Sequence, residues 1–317
     1  MSEMTLSSLK ERLGEIGARA AWAQWSALGA GTLHEGRSAS AIIDPEALLL
    51  LSLHLIPEER RLRDLARWWA EVGSGLLSVQ RTKTLAKDFP PDVQERLHEY
   101  SRWATRAGDK RWKKYASEGT KNDSERDRKG PEDPQLRSPA SLLLQLRAGF
   151  GVSAKADVLA FLLGIEGQTA TTRQATEATG YSRATISGAL EDLVRADFIE
   201  KSGGRPAEYR APVRSWMALL HRSETAEQTR ETGVPKWRYW AQLFAFLARA
   251  RKWAHEAESL SKYMASTRAR DLFEEFGGAF DANRIQVPSP AGHQGAEYLE
   301  GFQNAIERIV QWVPAHL

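Results

Sequence analysis

The segment TGYSRATISGALEDLVRADFIE, residues 179–200, decides how this chain is interpreted. Its apolar residues recur at the spacing of one helix face, which predicts an amphipathic helix with one buried side. Ser182 precedes that helix and can cap its first turn. The outer face near this end is small and polar, so the helix either only fills a core or also enters a groove on a partner. The apolar residues of the predicted inner face are Ile186, Leu190, Leu193 and Val194.

The residues on both sides of this helix predict a compact unit over 153–211. EGQTA predicts a turn or short strand, and the helix TTRQATEATG that follows ends at Gly180, where a left-handed backbone conformation favours glycine. Only Gly180, Tyr181 and Ser182 separate the two helices, so these must cross steeply. After the second helix, DFIEKS, a glycine pair and AEYRA predict a two-stranded hairpin with Arg205 near its tip.

This order of elements resembles the winged helix-turn-helix domain of bacterial transcription regulators of the MarR and ArsR types. The matching stretch, RQATEATGYSRATISGALEDLVRADFIEKSGGRPAEYR, covers about a fifth of the chain. In it Gly180 falls at the family's turn glycine and Ile186 at its buried β-branched position, while Leu190 and Leu193 fall at its core leucines. The resemblance implies that the helix from Ser182 lies in the major groove of DNA and that the hairpin touches the adjacent backbone.

The residue types at this predicted interface suit such a use. Small hydrogen-bonding side chains and one arginine lead the helix, and a major groove about 12 Å wide admits a helix whose leading face is slim. Two glycines let the arginine at the hairpin tip approach a minor groove or a phosphate. The predicted DNA-binding residues are Thr172, Arg173, Tyr181, Ser182, Arg183, Thr185, Ser187, Lys201, Arg205 and Arg210.

The net charge of this unit argues against DNA binding. Residues 153–211 carry seven basic and eight acidic side chains, a net charge of −1, whereas binding to phosphates normally needs an excess of positive charge. Gly188 stands where many relatives carry a basic or polar residue, and Glu191 and Asp192 follow one turn later. Two interpretations remain: the phosphate contacts come partly from another segment, or the unit binds protein.

A basic segment at residues 96–115 can supply those phosphate contacts. It holds seven basic side chains against two acidic ones, a net charge of +5. The stretch PPDVQERLHEYSRWATRAGDKRWKKY predicts a helix that reaches this segment. The alternative is an ordinary solvated helix end before a linker. The accessory DNA-binding candidates are Arg106, Lys110, Arg111, Lys113 and Lys114.

Helical periodicity dominates the remaining chain, and the predicted fold class is mainly α. Asp44 is expected to cap a helix that begins at Pro45. The predicted domains are a helical domain over 1–115, a flexible linker or loop over 116–139, the winged helix-turn-helix domain over 140–211 with its small β-hairpin wing, and a helical C-terminal domain over 212–317.

The aromatic residues outside the central unit have two interpretations each. The pairs Trp68–Trp69 and Trp237–Trp240 are expected to pack in a core or a dimer seam, rather than to line a ligand pocket. The last helix, over 295–313, carries an apolar face that favours a dimerisation helix; the alternative is that it closes its own domain.

Composition and motifs exclude several classes of protein. The chain is 42% hydrophobic and 27% charged, which is ordinary for a globular protein. The sequence shows neither an apolar run of membrane-spanning length nor a secretory signal, so a cytoplasmic location is expected. With no cysteine, disulfides and thiol chemistry are excluded. The seven histidines are scattered, and neither nucleotide-binding nor hydrolase motifs occur, so we expect no enzyme, no metal and no cofactor.

The sequence therefore predicts a sequence-specific DNA-binding transcriptional regulator that acts as a repressor and binds double-stranded DNA as a homodimer. The main alternative is a component of a multi-protein assembly, such as an antitoxin or defence system, whose helical flanks bind a protein partner. The size of the flanks, much larger than a minimal regulator needs, supports that alternative. A ligand sensor with a tryptophan-rich pocket is the third interpretation.

Overall fold

The computed structural model describes residues 5–30, 39–116, 133–220, 234–287 and 297–317. These residues form a mainly helical protein with one small three-stranded sheet, which confirms that the fold is mainly α. Among the helices of these ranges, none combines the length and the apolar character needed to cross a membrane. Most of the predicted linker, residues 117–132, lies outside the described residues.

In the described ranges, five α-helices precede residue 140. The second of them begins as predicted, because the Asp44 carboxylate accepts a hydrogen bond of 3.1 Å from the amide of Ala47. Every residue of this helix is buried, so it forms the centre of the N-terminal part. The five helices are α1 (Leu6–Ala27), α2 (Pro45–Leu55), α3 (Arg61–Val72), α4 (Val79–Leu85) and α5 (Asp92–Arg106).

The basic segment folds back on itself instead of continuing as one helix. α5 ends at Arg106, Gly108 has a φ of 106°, and residues Lys110–Tyr115 form a 3₁₀ helix. Trp112 is fully buried and meets Tyr100 edge to face, with ring centroids 5.1 Å apart. The predicted helix therefore reaches the basic segment but ends inside it, because the chain turns to bury this tryptophan.

Residues 140–211 contain α6, followed by the three helices and three strands of the central unit. The strands are all antiparallel, in the order β1–β3–β2, with Ala170 opposite Tyr209 and Glu200 opposite Arg210. The elements are α6 (Leu142–Phe150), α7 (Ala154–Gly164), β1 (Ala170–Thr171), α8 (Thr172–Thr179), α9 (Arg183–Arg195), β2 (Glu200–Lys201) and β3 (Glu208–Arg210).

Beyond the sheet, the described residues form four helices: α10 (Val213–Leu219), α11 (Trp240–Ala257), α12 (Lys262–Ala282) and α13 (Glu297–Ala315). The apolar face of α13 lies against α1 and α12 of the same chain. The face that the sequence assigns to a dimerisation helix is therefore covered by the chain itself. Its buried residues are Tyr298, Phe302, Ile306, Ile309 and Val313.

The buried apolar side chains form two clusters. The first joins α1–α5 to α11–α13, so the two predicted helical domains share one core. The second is built by α6–α10 and the sheet. Trp69 and Trp240 are buried in the first cluster and Trp237 in the second, while Trp68 packs half-buried against the first. The prediction that these tryptophans pack in a core is confirmed.

Candidate nucleic-acid interface

Local capping fixes the two helices at the centre of the predicted site. At the start of α8, Thr171 and Gln174 form a capping box, in which each side chain accepts from the backbone amide of the other. α8 ends at Gly180, whose φ of 73° is left-handed as predicted. Ser182 then begins α9, and its Oγ accepts from the Thr185 amide at 3.3 Å. The sequence therefore predicts both ends of this turn correctly.

α9 has one buried and one exposed side. Ile186, Leu190 and Leu193 are buried in the second core, as predicted. Val194 is half-buried against the same core. The residues of its leading face are exposed, except for a half-buried Ser187. The exposed residues of that face are Ser182, Arg183, Ala184, Thr185 and Gly188.

Ion pairs account for much of the acidic charge of the central unit. Asp192 pairs with Lys155 at 2.8 Å and with Arg195 at 3.3 Å. Two of the predicted DNA-binding arginines are paired as well: Arg173 with Glu177 at 2.7 Å and Arg210 with Glu200 at 2.6 Å. Such exposed pairs contribute only about 0–1 kcal/mol each, so a phosphate can displace them.

Three cations of the predicted site form no ion pair within the described part of the chain. Arg183 stands exposed at the start of α9, and Lys201 and Arg205 are exposed on the hairpin. Lys201 Nζ lies 5.8 Å from the centre of the Tyr209 ring, on the neighbouring strand. Three exposed carboxylates of the same stretch, Glu191, Asp197 and Glu208, also form no ion pair within the described residues. The three cations are therefore available to a partner, although they are not in excess.

A buried network of charged side chains holds the α8–α9 turn against the N-terminal helices. Arg81 of α4 donates to Asp44 Oδ2 and to Glu46 Oε2, each at 2.5 Å. Its Nε donates to the carbonyl oxygen of Thr179 at 2.6 Å. Thr179 is the last residue of α8, and the last carbonyls of a helix have no partner within the helix. Arg81 therefore ties this helix end to the α2 carboxylates.

Arg147 extends the same network into the central unit. It binds Asp157 of α7 through Nε at 2.8 Å and through Nη2 at 2.6 Å, and Glu46 Oε1 through Nη1 at 2.6 Å. All five charged side chains are buried. Burial alone would raise the pKa of Asp44, but the charge and hydrogen bonds of Arg81 outweigh it and hold that pKa below its ordinary value.

The turn itself lies on this network. A Cβ at Gly180 would sit 3.5 Å from Leu85 of α4, so the turn contacts that helix directly. The Tyr181 side chain is partly buried against the second core. Burial, followed by the charge of Asp157, raises the pKa of its hydroxyl. Tyr181 thus lies on the inner side of the turn. The DNA-binding residues predicted at the start of α9 lie instead on the outer side of that helix or on its flank.

The hairpin projects from the sheet. The Ser202 amide donates to the Glu208 carbonyl at 2.8 Å, and the Glu208 amide donates to Ser202 Oγ at 3.0 Å. These bonds close a loop whose residues 202–206 are all exposed. Arg205 therefore lies at the tip of the hairpin, as predicted.

The accessory basic residues divide into two groups. Arg111 is held in place, because it pairs with Asp109 at 2.6 Å and donates to the Ser74 carbonyl at 2.8 Å. Lys110, Lys113 and Lys114 are exposed and form no ion pair in the described ranges, and Arg106 is exposed at the end of α5.

This basic segment borders the helix that holds the turn. Lys83 Nζ of α4 lies 4.1 Å from the centre of the Tyr115 ring, at the end of the 3₁₀ helix. The same α4 carries Arg81 and Leu85, which contact the turn. The structure therefore brings the basic segment and the α8–α9 turn to one short helix.

The ion network is the part of the site that the sequence does not predict. Its members stand within apolar stretches: Glu46 in PEALLLLSLHL, Arg147 in LLLQLRAGF and Asp157 in AKADVLAFLLG. A charged residue on a fully buried element must be paired. That rule flags these three residues, although it does not identify their partners.

Comparison of the chain with models of protein families, with curated proteins and with solved structures gives no significant match. The geometry of α8, α9 and the hairpin is therefore the basis for the function proposed below.

Proposed function

We propose that the protein is a sequence-specific DNA-binding transcriptional regulator, and that residues 140–211 form its winged helix-turn-helix domain. The observation that carries this proposal is the leading face of α9: small, exposed, capped by Ser182, and led by an unpaired Arg183. The order α7–β1–α8–α9–β2–β3 supports it, because a short helix, a tight turn and a second helix are the parts that place a reading helix in a major groove.

The chemistry of the leading face suits the edges of base pairs. The Arg183 guanidinium can donate two hydrogen bonds to O6 and N7 of a guanine, which is worth about 1–3 kcal/mol of discrimination against another base. Thr185 can contact a base through its hydroxyl or its methyl group. Ser182 and the free amides at the helix start can hold a phosphate.

Phosphate contacts would come from two places. Lys201 and Arg205 extend from the hairpin, and Lys113 and Lys114 extend from the basic segment. Together they compensate for the acidic balance of the central unit, since non-specific affinity for DNA depends on how many phosphates are neutralised.

Repression and a homodimer belong to the same proposal. A two-fold dimer reads two half-sites on one duplex, and binding over a promoter excludes polymerase. The apolar face of α13 is covered, so the dimer must use another surface. The exposed apolar side chains of Phe150, Phe198 and Leu219, which are 46%, 36% and 64% exposed, provide one.

The same exposed side chains support a second candidate function, a role in a multi-protein assembly. Phe150 and Phe198 meet edge to face with centroids 6.0 Å apart, and both meet Trp216. An apolar cluster of this kind on a surface marks a protein-binding site in many proteins. In that case the central unit positions the cluster and does not read DNA.

The test is a selection of duplexes from a library with a randomised core. The wild-type chain should enrich one sequence, and Arg183→Ala should lose about 1–3 kcal/mol of affinity for the enriched duplex while keeping its affinity for a scrambled one. Arg195→Ala is the matched control, because Arg195 is an exposed arginine at the other end of α9, and it should bind both duplexes as wild type does.

Two results would contradict the proposal. One is a wild-type chain that enriches no sequence; the other is an Arg183→Ala variant that is folded and still discriminates between the duplexes. Purification of the tagged chain from its native host separates the two candidates: operator DNA in the eluate favours the regulator, and a stoichiometric protein partner favours the assembly.

A further inference from the structure

A cavity of about 490 Å³ lies between the central unit and the C-terminal helices. The central unit contributes the end of α7, β1 and α8. The segment that precedes α11 forms another wall, and the ends of α12 and α13 complete it. The site lies outside the proposed DNA-reading face, and most of its lining side chains are polar or charged.

The walls of this cavity are held by backbone contacts. The Trp237 amide donates to the Gly164 carbonyl at 2.9 Å, and the Tyr239 amide donates to Asn283 Oδ1 at 3.1 Å. A Cβ at Gly164 would come within 2.8 Å of the Trp237 nitrogen, so only glycine permits this close approach. The cavity is therefore formed without a ligand, as most small-molecule sites are.

The charges that line the cavity do not balance. Glu177 already pairs with Arg173 at 2.7 Å, and Glu166 is the nearest carboxylate to Lys236, at 3.9 Å. Arg238 and Arg284 remain, and neither forms an ion pair with any described residue. Two positive charges are thus left over where two walls meet.

These two arginines repel each other. Burial lowers the pKa of Arg238, the charge of Glu166 opposes this effect, and the charge of Arg284 adds a smaller lowering effect. The Arg238 guanidinium also lies over the Trp312 ring, 5.2 Å from its centre, which holds it at the cavity wall. An anion between the two arginines would remove this repulsion.

Two buried donors on the same wall have no acceptor. Trp237 is only 7% exposed, and its Nε1 has no hydrogen-bond partner among the described residues. Arg238 Nε is also buried without a partner in the described part of the chain. Both residues line the cavity, so an acceptor bound there can satisfy these two donors.

We propose that this cavity binds a phosphate ester of a small polyol. A phosphate monoester carries a charge of about −1.5 to −2 at neutral pH, which matches the two unpaired arginines. Its oxygens would accept from the guanidiniums and from Trp237 Nε1. The hydroxyl groups would meet Gln168, Thr169 and Gln174, which also line the cavity. This inference does not depend on DNA binding, and its test uses no DNA.

The experiment is titration calorimetry with the full-length chain. The probes are glycerol 3-phosphate, ribose 5-phosphate and glucose 6-phosphate, with inorganic phosphate and the three uncharged polyols for comparison. At least one phosphate ester should bind saturably and more tightly than inorganic phosphate, while the uncharged polyols should show no saturable heat. Arg238→Gln and Arg284→Gln should each weaken that binding roughly tenfold.

Two further variants make the result specific. Trp237→Phe removes one donor and keeps the aromatic ring, so it should weaken binding severalfold. Arg137→Gln, at an exposed arginine away from the cavity, should bind as wild type does. The proposal is overturned if no ester binds below about 10 mM, or if the two cavity variants melt as wild type does and bind the ester unchanged. Equal affinity for inorganic phosphate overturns the polyol part.

Discussion

At the scale of single residues, Gly188 is a position whose identity the fold does not explain. It lies within α9, is exposed, and has open space where a Cβ would stand. Glycine in a helix is about 1 kcal/mol less favourable than alanine. The proposed function supplies a reason, because a glycine lets the helix backbone approach the floor of a groove.

Gly188→Ala should therefore raise stability and weaken DNA binding at the same time. We expect the free energy of unfolding to rise by about 0.5–1 kcal/mol, and the selected duplex to be bound more weakly by about 1–3 kcal/mol because a methyl group meets the groove. Denaturant unfolding and duplex titration measure the two effects. Gly278→Ala is the control, since Gly278 is an exposed glycine within α12 with open space around it; it should gain stability and leave DNA binding unchanged. A Gly188→Ala variant that keeps full affinity would show that nothing approaches this face closely.

His54 is a second residue with a measurable consequence. Burial lowers its pKa from the ordinary value of 6.5 to about 4, against an opposing effect of Asp92. Neither ring nitrogen has a hydrogen-bond partner within the part of the chain that the structure describes. The unfolded chain therefore binds a proton between pH 6.5 and 4 that the folded chain does not. The contribution of His54 to the free energy of unfolding is therefore fully present above pH 6.5. It is lost as the pH falls towards 4, by about 3 kcal/mol in all.

We expect His54→Leu to flatten this part of the stability profile and to raise stability at pH 5 by about 1–3 kcal/mol. Urea midpoints at pH 7.5 and pH 5 measure it. His255→Leu, at an exposed histidine, should keep the wild-type slope. An unchanged slope in His54→Leu would mean that other groups set the pH dependence.

At the scale of elements, α4 connects the N-terminal helices to the α8–α9 turn. The single side chain of Arg81 forms hydrogen bonds to Asp44, to Glu46 and to the end of α8. Its removal leaves two carboxylates buried without this partner, and such losses cost about 3–5 kcal/mol. We expect Arg81→Met to lose that much stability in denaturant unfolding. Arg195→Met removes an exposed pair and should lose less than about 1 kcal/mol.

The network also predicts which backbone amides should exchange faster with solvent when Arg81 is replaced. Hydrogen exchange of the amides of Gly180 and Tyr181 should accelerate in Arg81→Met more than exchange in α13, because the turn loses its anchor. Uniform acceleration across the chain would show that Arg81 serves global stability alone.

The sequence predicts where α8 ends and α9 begins, whereas it does not predict which distant residues contact these helices. Ser182 and Gly180 act through groups three or four residues away, so their roles follow from the local sequence. The bonds from Arg81 to Asp44 and to Thr179 cross 37 and 98 residues of sequence. No periodicity in a single sequence indicates which distant groups meet.

At the scale of the whole molecule, the same limit explains the shared core. The apolar periodicity of α13 correctly predicts that Phe302 and Ile309 are buried, but it does not indicate which helices cover them. The covering surfaces are α1 and α12, the first of which lies at the other end of the sequence. Helices before and after the central unit thus share one core. In this part of the protein, α4 contacts both the basic segment and the α8–α9 turn.

This arrangement makes the helical body part of the proposed DNA interface. If the basic segment contacts phosphates, the double variant Lys113→Glu/Lys114→Glu should weaken binding to selected and scrambled duplexes alike, and it should lower the slope of log affinity against log salt by about 2. Its melting temperature should not change, because both side chains are exposed and unpaired in the described ranges. Lys252→Glu/Lys262→Glu makes the same charge change on α11 and α12 and controls for net charge. Were both double variants to lose affinity equally, net charge alone would explain the effect. A loss of affinity only in the Lys113→Glu/Lys114→Glu variant would mean that DNA extends from α9 across α4 to the basic segment. One rigid body would then contact both base edges and phosphates.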